Sequence, residues 1–189
     1  MKLVELLAGV SVKTTLPPEL ASIEIAGLEY DSRRVGQGYL FAAFPGSKTD
    51  GRRFVTDALG RGAVAIVSES EAPPDLKARW IQVEHGRRAL AVAARNFYGR
   101  LDEKLVLIGD TGTNGKTTTS YLVDSILRAA GKTTAMIGTI EYHLAGRVLP
   151  AVNTTPESLD LHRIFAELAV QGGTHVTMEV SSHALALGH

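Results

Sequence analysis

A glycine-rich stretch, Thr111-Gly112-Thr113-Asn114-Gly115-Lys116-Thr117-Thr118, has the residue types and spacing of a phosphate-binding loop. Gly112 and Gly115 have no Cβ, so backbone N–H groups around them can approach phosphate oxygens closely. Lys116 can reach the outer phosphates, and the Thr117 hydroxyl can bind a phosphate-bound Mg²⁺. The loop is therefore predicted to bind a nucleoside triphosphate.

The spacing of this loop departs from the strict pattern by one residue. Gly-x4-Gly-Lys-Thr would place glycine at position 110, where the chain has Asp110, and the nearest upstream glycine is Gly109. The alternative interpretation is a helix start with turn glycines and a threonine cap. The strand-like run before the loop and the helix-like run after it favour phosphate binding.

A strand and a helix must position the loop. Residues 105–108 are Leu-Val-Leu-Ile, which have the length and apolarity of a buried parallel strand. Residues 120–130 have helical periodicity. The apolar residues predicted on one face of this helix are Leu122, Val123, Ile126, Leu127 and Ala130.

A carboxylate is predicted at the end of another strand of the same sheet. Residues 175–180 form a strand-like run that contains Glu179 near its carboxyl end. An acid at that position can hold Mg²⁺ directly or through water. The alternative is a carboxylate paired with lysine or arginine. Ser181 and His183 follow, but the Gly-x-Ser-x-Gly pattern of a serine hydrolase is missing.

The segment Asn153-Thr154-Thr155-Pro156-Glu157 predicts the start of a helix. Thr155 fits the N-cap, Pro156 the first helical position, and Glu157 the favourable end of the helix dipole. Thr154 and Thr155 could also face a ligand, because ligands bind beyond the carboxyl ends of parallel strands. Both interpretations can hold together, since they need not use the same atoms.

The first hundred residues alternate strand-like and helix-like runs, at 39–43, 54–59, 63–67, 80–83 and 87–98. Tyr30-Asp31-Ser32-Arg33-Arg34 offers a hydroxyl and two guanidinium groups, which suit an anion or nucleotide, although a solvated turn is the alternative. The same alternatives apply to residues 46–53. We predict an α/β protein with a small N-terminal domain (1–101) and part of a P-loop ATPase-like parallel-sheet domain (102–189).

The composition of the 189 residues excludes several classes of function. Lysine plus arginine equals aspartate plus glutamate at 20 each, so no overall basic field suggests nucleic acid. The chain has no cysteine, which excludes disulfides and cysteine-ligated metals. Glu5 interrupts the apolar N-terminus, and no run has the roughly 18 to 20 apolar residues that span a membrane. We expect a cytoplasmic protein without membrane contact.

These motifs together resemble the Mur ligase family, and within it the branch that adds the third residue of the peptidoglycan peptide. The resemblance runs through the whole chain. The segments that carry it are Tyr30-Asp31-Ser32-Arg33, Gly38-Tyr39-Leu40-Phe41-Ala42-Ala43, Asp50-Gly51, the glycine-rich loop, Asn153-Thr154-Thr155-Pro156 and Met178-Glu179-Val180-Ser181-Ser182-His183-Ala184-Leu185.

The resemblance implies an ATP-dependent amide ligase with Mg²⁺. ATP would phosphorylate a carboxylate of UDP-N-acetylmuramoyl-L-Ala-D-Glu, and the amine of diaminopimelate or lysine would attack the acyl phosphate. It implies catalytic roles for Lys116 and Glu179, and metal contacts for Thr117 and Glu179. The implied ATP contacts are Gly112, Thr113, Asn114, Gly115, Lys116, Thr117 and Thr118. The implied contacts to the UDP-linked dipeptide are Ser32, Arg33, Asn153, Thr154, Thr155 and Ser181.

Three residues depart from the family pattern. Asp110 replaces an apolar residue, and Leu187 and His189 replace glutamine and arginine. Because Asp110 precedes an anion site, we predict that its charge weakens ATP binding. The sequence stops before the lysine that the family carbamylates to bind Mg²⁺, so we expect a truncated ligase with little ligation by itself. Alternatives are a regulatory module that uses ATP as a switch, or another ligase of the superfamily such as a folylpolyglutamate synthetase.

Overall fold

The computed structural model describes residues 1–45, 50–151 and 153–187. Residues 46–49 of the stretch 46–53, and His189, lie outside the described residues. The chain divides into two compact units, Met1–Phe97 and Tyr98–His189, which we describe separately. In the described part of the chain, no helix combines the length and apolarity needed to cross a membrane.

The first unit contains a four-stranded parallel sheet in the order β1-β2-β3-β4. Its strands are β1 Gly27–Glu29, β2 Tyr39–Ala42, β3 Ala63–Ser68 and β4 Trp80–Gln82. Its α-helices are α1 Leu3–Leu6, α2 Pro18–Ala21, α3 Val55–Gly60 and α4 Gly86–Phe97. The strands and helices predicted in this part are confirmed, with shifted ends. One apolar core joins sheet and helices through Val35, Phe41, Ala43, Val55, Ala58, Ala63, Ile66 and Trp80.

The second unit contains a five-stranded sheet in the order β5-β9-β6-β7-β8. Its strands are β5 Val106–Asp110, β6 Thr134–Ile137, β7 Glu141–Leu144, β8 Arg147–Pro150 and β9 His175–Glu179. Its α-helices are α5 Lys116–Ala129, α6 Ser158–Val170 and α7 Ser182–Leu187. Strands β5, β9 and β6 are parallel, and β7 and β8 form an antiparallel hairpin.

Helix α6 packs on one side of this sheet and buries Phe165 and Leu168 against an apolar core. The prediction for its N-terminus is wrong: α6 begins at Ser158, and Glu157 occupies the N-cap without a side-chain capping bond. Thr155 is therefore outside the helix, and its hydroxyl hydrogen-bonds elsewhere.

Strand β5 and helix α5 form where predicted, but the prediction that the strand is buried is wrong. Among the described residues β5 pairs with β9 alone, so Val106 and Leu107 are 50% and 40% exposed. On α5 two residues of the predicted apolar face, Leu122 and Ile126, are 60% and 67% exposed, whereas Val123 and Leu127 are partly buried. The helix instead turns the buried polar residues Ser120 and Asp124 to the sheet, where they bond Asp110 and Thr134.

Candidate functional site

The glycine-rich loop connects the carboxyl end of β5 to the first turn of α5, which is the predicted context. Gly115 has φ 83° immediately before the helix, a conformation that side chains other than glycine rarely adopt. The N-terminal end of the 14-residue helix therefore faces the loop with its positive dipole end. The Lys116 Nζ donates a hydrogen bond to the Gly112 carbonyl oxygen at 2.7 Å. Thr113, Asn114 and Thr118 are exposed, so they are accessible to a ligand.

Glu179 lies beside this loop because β5 and β9 are neighbours in register. Asp110 and Glu179 are paired residues at the carboxyl ends of the two strands. The Glu179 side chain is buried, at 1% exposure, and the Thr117 hydroxyl donates to its Oε2 at 3.2 Å. The structure thus brings together the predicted threonine and carboxylate, and the described contacts of Glu179 include no lysine or arginine partner.

Thr139, in the turn between β6 and β7, holds the other edge of the Glu179 carboxylate. Its backbone N–H donates to Glu179 Oε1 at 2.9 Å, and its hydroxyl donates to Oε2 at 3.0 Å. A Cβ on Gly138 would lie 2.7 Å from Glu179 Oε1, so glycine allows this close approach. Thr139 was not among the residues predicted from the sequence. It follows β6, a strand whose carboxyl end lies at the same edge of the sheet as that of β9.

Thr155 and Ser181 connect the segment before α6 to the end of β9. The Thr155 hydroxyl donates to the Glu179 carbonyl oxygen at 2.9 Å and accepts from the Ser181 N–H at 3.0 Å. Thr154 Oγ1 lies 3.2 Å from Thr139 Oγ1, which places Thr154 at the same edge of the sheet. The Asn153 carbonyl oxygen accepts a hydrogen bond from the Tyr142 hydroxyl. Thr154 thus lies beside the threonine that holds the Glu179 carboxylate, Asn153 contacts Tyr142 on β7, and Thr155 and Ser181 hydrogen-bond with the backbone at the end of β9.

Asp110 faces helix α5. Its Oδ2 accepts a hydrogen bond from the buried Ser120 hydroxyl at 3.2 Å, and its carbonyl oxygen accepts from the Val180 N–H at 2.8 Å. The side chain is therefore tied one turn into the helix that follows the phosphate-binding loop.

The residues at this edge fit Mg²⁺ bound together with a phosphate. Mg²⁺ typically uses one or two carboxylates plus phosphate oxygens and water, not a cage of protein ligands. The residues that the structure describes contain no group of three or more His, Asp or Glu side chains suited to a metal. Thr117 and Glu179 supply a hydroxyl and a carboxylate, and the loop supplies Lys116 and the helix N-terminus for the phosphates.

In the first unit, Ser32 and Arg33 lie in a single helical turn, Ser32–Arg34, that follows β1. Ser32 is 5% exposed, and its hydrogen bond to Asp57 is the largest cause of a lowered pKa of that carboxyl group. Arg33 extends into solvent and bonds Asp31, with Nη2 2.6 Å from Oδ2. Hydrogen bonds from Arg33 lower the pKa of Asp31.

The buried carboxylate of Glu29, at the end of β1, contacts residues on both sides of Ser32 in this turn. Its Oε1 accepts from the Tyr30 N–H at 3.1 Å, and its Oε2 lies 3.3 Å from Nε of Arg34. The turn is therefore fixed by hydrogen bonds and is not simply a solvated loop.

Two family descriptions match the chain in succession. The description "Mur ligase family, catalytic domain" matches residues 24–98, and "Mur ligase middle domain" matches residues 111–189.

Curated relatives match along nearly the whole sequence. The UDP-N-acetylmuramoyl-L-alanyl-D-glutamate--2,6-diaminopimelate ligase of Solibacter usitatus (strain Ellin6076) is 73% identical over 188 residues, which are 100% of this chain and 38% of the relative. The ligase of the same name from Geobacillus kaustophilus (strain HTA426) is 48% identical over 165 residues, which are 87% of this chain and 33% of the relative. The chain therefore spans little more than a third of the length of these relatives.

Solved structures share the fold. One titled as UDP-N-acetylmuramoyl-L-alanyl-D-glutamate--2,6-diaminopimelate ligase matches 100% of this chain and 37% of its own chain, with TM-score 0.76 and 28% identity. A MurF ligase from Thermotoga maritima in complex with ADP matches 82% of this chain and 32% of its own, with TM-score 0.57. At 24% identity the second structure shows the fold alone.

Proposed function

The chain belongs to the Mur ligase family, and from that premise we propose that it forms the nucleotide-binding part of a peptidoglycan-precursor ligase. The reaction is the ATP-dependent addition of an amino acid to UDP-N-acetylmuramoyl-L-Ala-D-Glu. Diaminopimelate is the added residue that we propose, because the 73%-identical relative carries that substrate in its name. Both the UDP-linked precursor and ATP are cytoplasmic metabolites, so we propose the cytoplasm as its location.

The observation that carries this proposal is the meeting of Lys116, Thr117 and Glu179 at one edge of the second sheet. A buried carboxylate that bonds the threonine of a phosphate-binding loop is the arrangement expected of a Mg²⁺-nucleotide site. We assign residues 102–189 to part of the ATP domain and residues 1–101, with Ser32 and Arg33, to the uridine nucleotide.

The residues of the chain have separate roles in this proposal. Thr117 and Glu179 would hold the Mg²⁺, which supplies positive charge to the phosphates when it is bound. Lys116 exchanges its bond to the Gly112 carbonyl for a phosphate oxygen and offsets negative charge there. Thr154 lies beside Thr139 at this edge of the sheet, and we place the acceptor carboxylate of the dipeptide near it and the neighbouring Asn153.

Calorimetry with the purified chain tests the proposal. We expect binding of ATP with Mg²⁺ and of the UDP-linked dipeptide. Lys116→Ala should weaken ATP binding about tenfold to a hundredfold, the value of a lost hydrogen bond to a charged group. Lys132→Ala is the matched control, because Lys132 is an exposed lysine just beyond the far end of the same helix.

The outcomes separate the proposed functions. Binding of neither nucleotide would contradict the proposal, and ATP binding without binding of the uridine nucleotide would favour an ATP-dependent switch. We propose that ligation itself needs parts of the relatives that this chain does not match. Turnover by the 189-residue chain alone would overturn that last point.

A further inference from the structure

A cluster of four polar side chains lies between helix α5 and strand β7, outside the candidate metal site. It consists of Tyr121 and Asp124 on α5 and Glu141 and His143 on β7. The His143 Nε2 lies 2.8 Å from Glu141 Oε1, and its Nδ1 lies 3.4 Å from Asp124 Oδ2. The Tyr121 hydroxyl donates to Glu141 Oε1 at 2.8 Å, and its ring meets the His143 ring edge-on. We call these four residues the His143 cluster.

The buried carboxylate of Asp124 depends on the hydrogen-bond donors around it. Asp124 is 2% exposed, and its Oδ1 accepts from the Thr134 hydroxyl at 2.6 Å. Arg128 Nη1 approaches Asp124 Oδ2 at 3.9 Å from a largely exposed side chain. A buried carboxylate needs hydrogen-bond donors, so removal of the imidazole would leave Asp124 with fewer partners. The bonds from His143 and then from Tyr121 also lower the pKa of Glu141.

The cluster is connected to the candidate metal site through a short turn. Glu141 begins β7 two residues after Thr139, whose N–H and hydroxyl hold the Glu179 carboxylate. The turn is therefore fixed at one end by Glu179 and at the other end by the His143 cluster. Helix α5, which carries Tyr121 and Asp124, also carries Thr117 in its first turn.

We propose that His143 is a positioning residue that fixes the β6–β7 turn on helix α5 and thereby holds Thr139 against Glu179. His143 touches neither the loop nor Glu179 in any described hydrogen bond, so it acts through Glu141 and the turn. The consequence for Mg²⁺ rests on the function proposed above, whereas the consequence for the Thr139 hydrogen bond does not.

The first test needs no ligand. Amide hydrogen exchange is measured at Thr139 in the wild-type chain and in His143→Gln. We expect exchange at Thr139 to accelerate about tenfold, because local opening costs less when one end of the turn is released. The amide of Val106, which bonds the Thr174 carbonyl at the far end of the sheet, should keep its wild-type rate.

Two further variants, one milder change in the cluster and one control histidine outside it, complete this test. Tyr121→Phe removes one hydroxyl and retains the ring, so it should fold and accelerate Thr139 exchange to a smaller extent than His143→Gln. His175→Gln changes a histidine at the opposite end of β9 and should leave Thr139 unchanged. Unchanged exchange at Thr139 in folded His143→Gln and Tyr121→Phe would overturn the proposal. Acceleration spread equally over Thr139 and Val106 would also overturn it, since that pattern reports general destabilisation.

The second test measures ATP affinity with Mg²⁺ and with a chelator. His143→Gln should reduce the increase in ATP affinity that Mg²⁺ causes by about tenfold. This is the lower end of the effect of mutating an outer partner of a metal ligand. The ATP affinity measured with the chelator should not change. Accelerated Thr139 exchange with an unchanged Mg²⁺ gain would overturn the link to the metal. Absence of ATP binding in the wild-type chain would instead contradict the proposed function, and Thr139 exchange would still decide the positioning role.

Discussion

Replacement of Glu179 by glutamine should separate the stability of the protein from its use of Mg²⁺. The carboxylate accepts three hydrogen bonds, from the Thr139 N–H at 2.9 Å, the Thr139 hydroxyl at 3.0 Å and the Thr117 hydroxyl at 3.2 Å. Glutamine has the same shape, and its oxygen can still accept from the N–H. Its NH₂ group can donate to the two hydroxyls, because each hydroxyl can rotate and accept.

The magnitudes follow from these contacts. Hydrogen bonds to the neutral glutamine are weaker than those to the carboxylate. However, burying a charged carboxylate costs several kcal/mol, and glutamine avoids that cost, so the two effects largely cancel. We expect Glu179→Gln to change the free energy of unfolding without Mg²⁺ by less than about 1 kcal/mol. Glu179→Ala should cost about 1–3 kcal/mol, because the partly buried Thr139 N–H loses its acceptor and the buried Glu179 side chain is removed. In contrast, Glu179→Gln should lower the Mg²⁺-dependent gain in ATP affinity by at least about tenfold, because loss of even an outer partner of a metal ligand costs about 10–100-fold.

Denaturant unfolding in the presence of a chelator measures the first quantity, and calorimetry with and without Mg²⁺ measures the second. A Glu179→Gln variant that retains the full Mg²⁺ gain would refute the assignment of Glu179 to the metal. A glutamine variant that is as unstable as the alanine variant would refute the hydrogen-bond argument.

Three other substitutions test separate parts of the structure. Asp110→Asn keeps an acceptor for the Ser120 hydroxyl but removes a negative charge just before the glycine-rich loop. Calorimetry should therefore show tighter ATP binding, by a factor of a few up to about tenfold, because like charges repel. Unchanged affinity would show that the charge does not act on the phosphates. Leu168→Ala, at a fully buried position, should lower the free energy of unfolding by about 2–5 kcal/mol. Leu122→Ala, at a position that is 60% exposed, should change it by no more than about 0.5 kcal/mol. Equal effects in denaturant unfolding would contradict the placement of α5. Ser32→Ala should weaken binding of uridine diphosphate up to about tenfold, the value of one hydrogen bond, and an unchanged affinity in calorimetry would remove Ser32 from the proposed site.

The local features of the site could be predicted from sequence. Strand β5, the loop to Lys116 and helix α5 are contiguous, and glycine spacing with hydrophobic periodicity is enough to predict them. The hairpin of β7 and β8 was equally accessible, because its turn at Ala145 and Gly146 is a local signal. The roles of the individual site residues in binding remain predictions.

Other features depend on contacts between distant parts of the chain. Thr155 resembles an N-cap in sequence, yet its hydroxyl bonds the Glu179 carbonyl across 24 residues of chain. Thr139 is unremarkable in sequence and becomes important because β6 and β9 are parallel neighbours that end together. Sequence periodicity carries no information about which strands pair, so neither contact could be read from it.

From the sequence alone one can predict that a glycine-rich loop joins a strand to a helix and that an acid ends a later strand. The groups that surround them depend on which strands pair. Helix α5 directs the polar Asp124 to the sheet and leaves Ile126 exposed, against the amphipathic pattern, because Thr134 and His143 on neighbouring strands offer Asp124 its hydrogen bonds. A buried polar group is stable only beside its partners, and those partners are assembled by the pairing of strands.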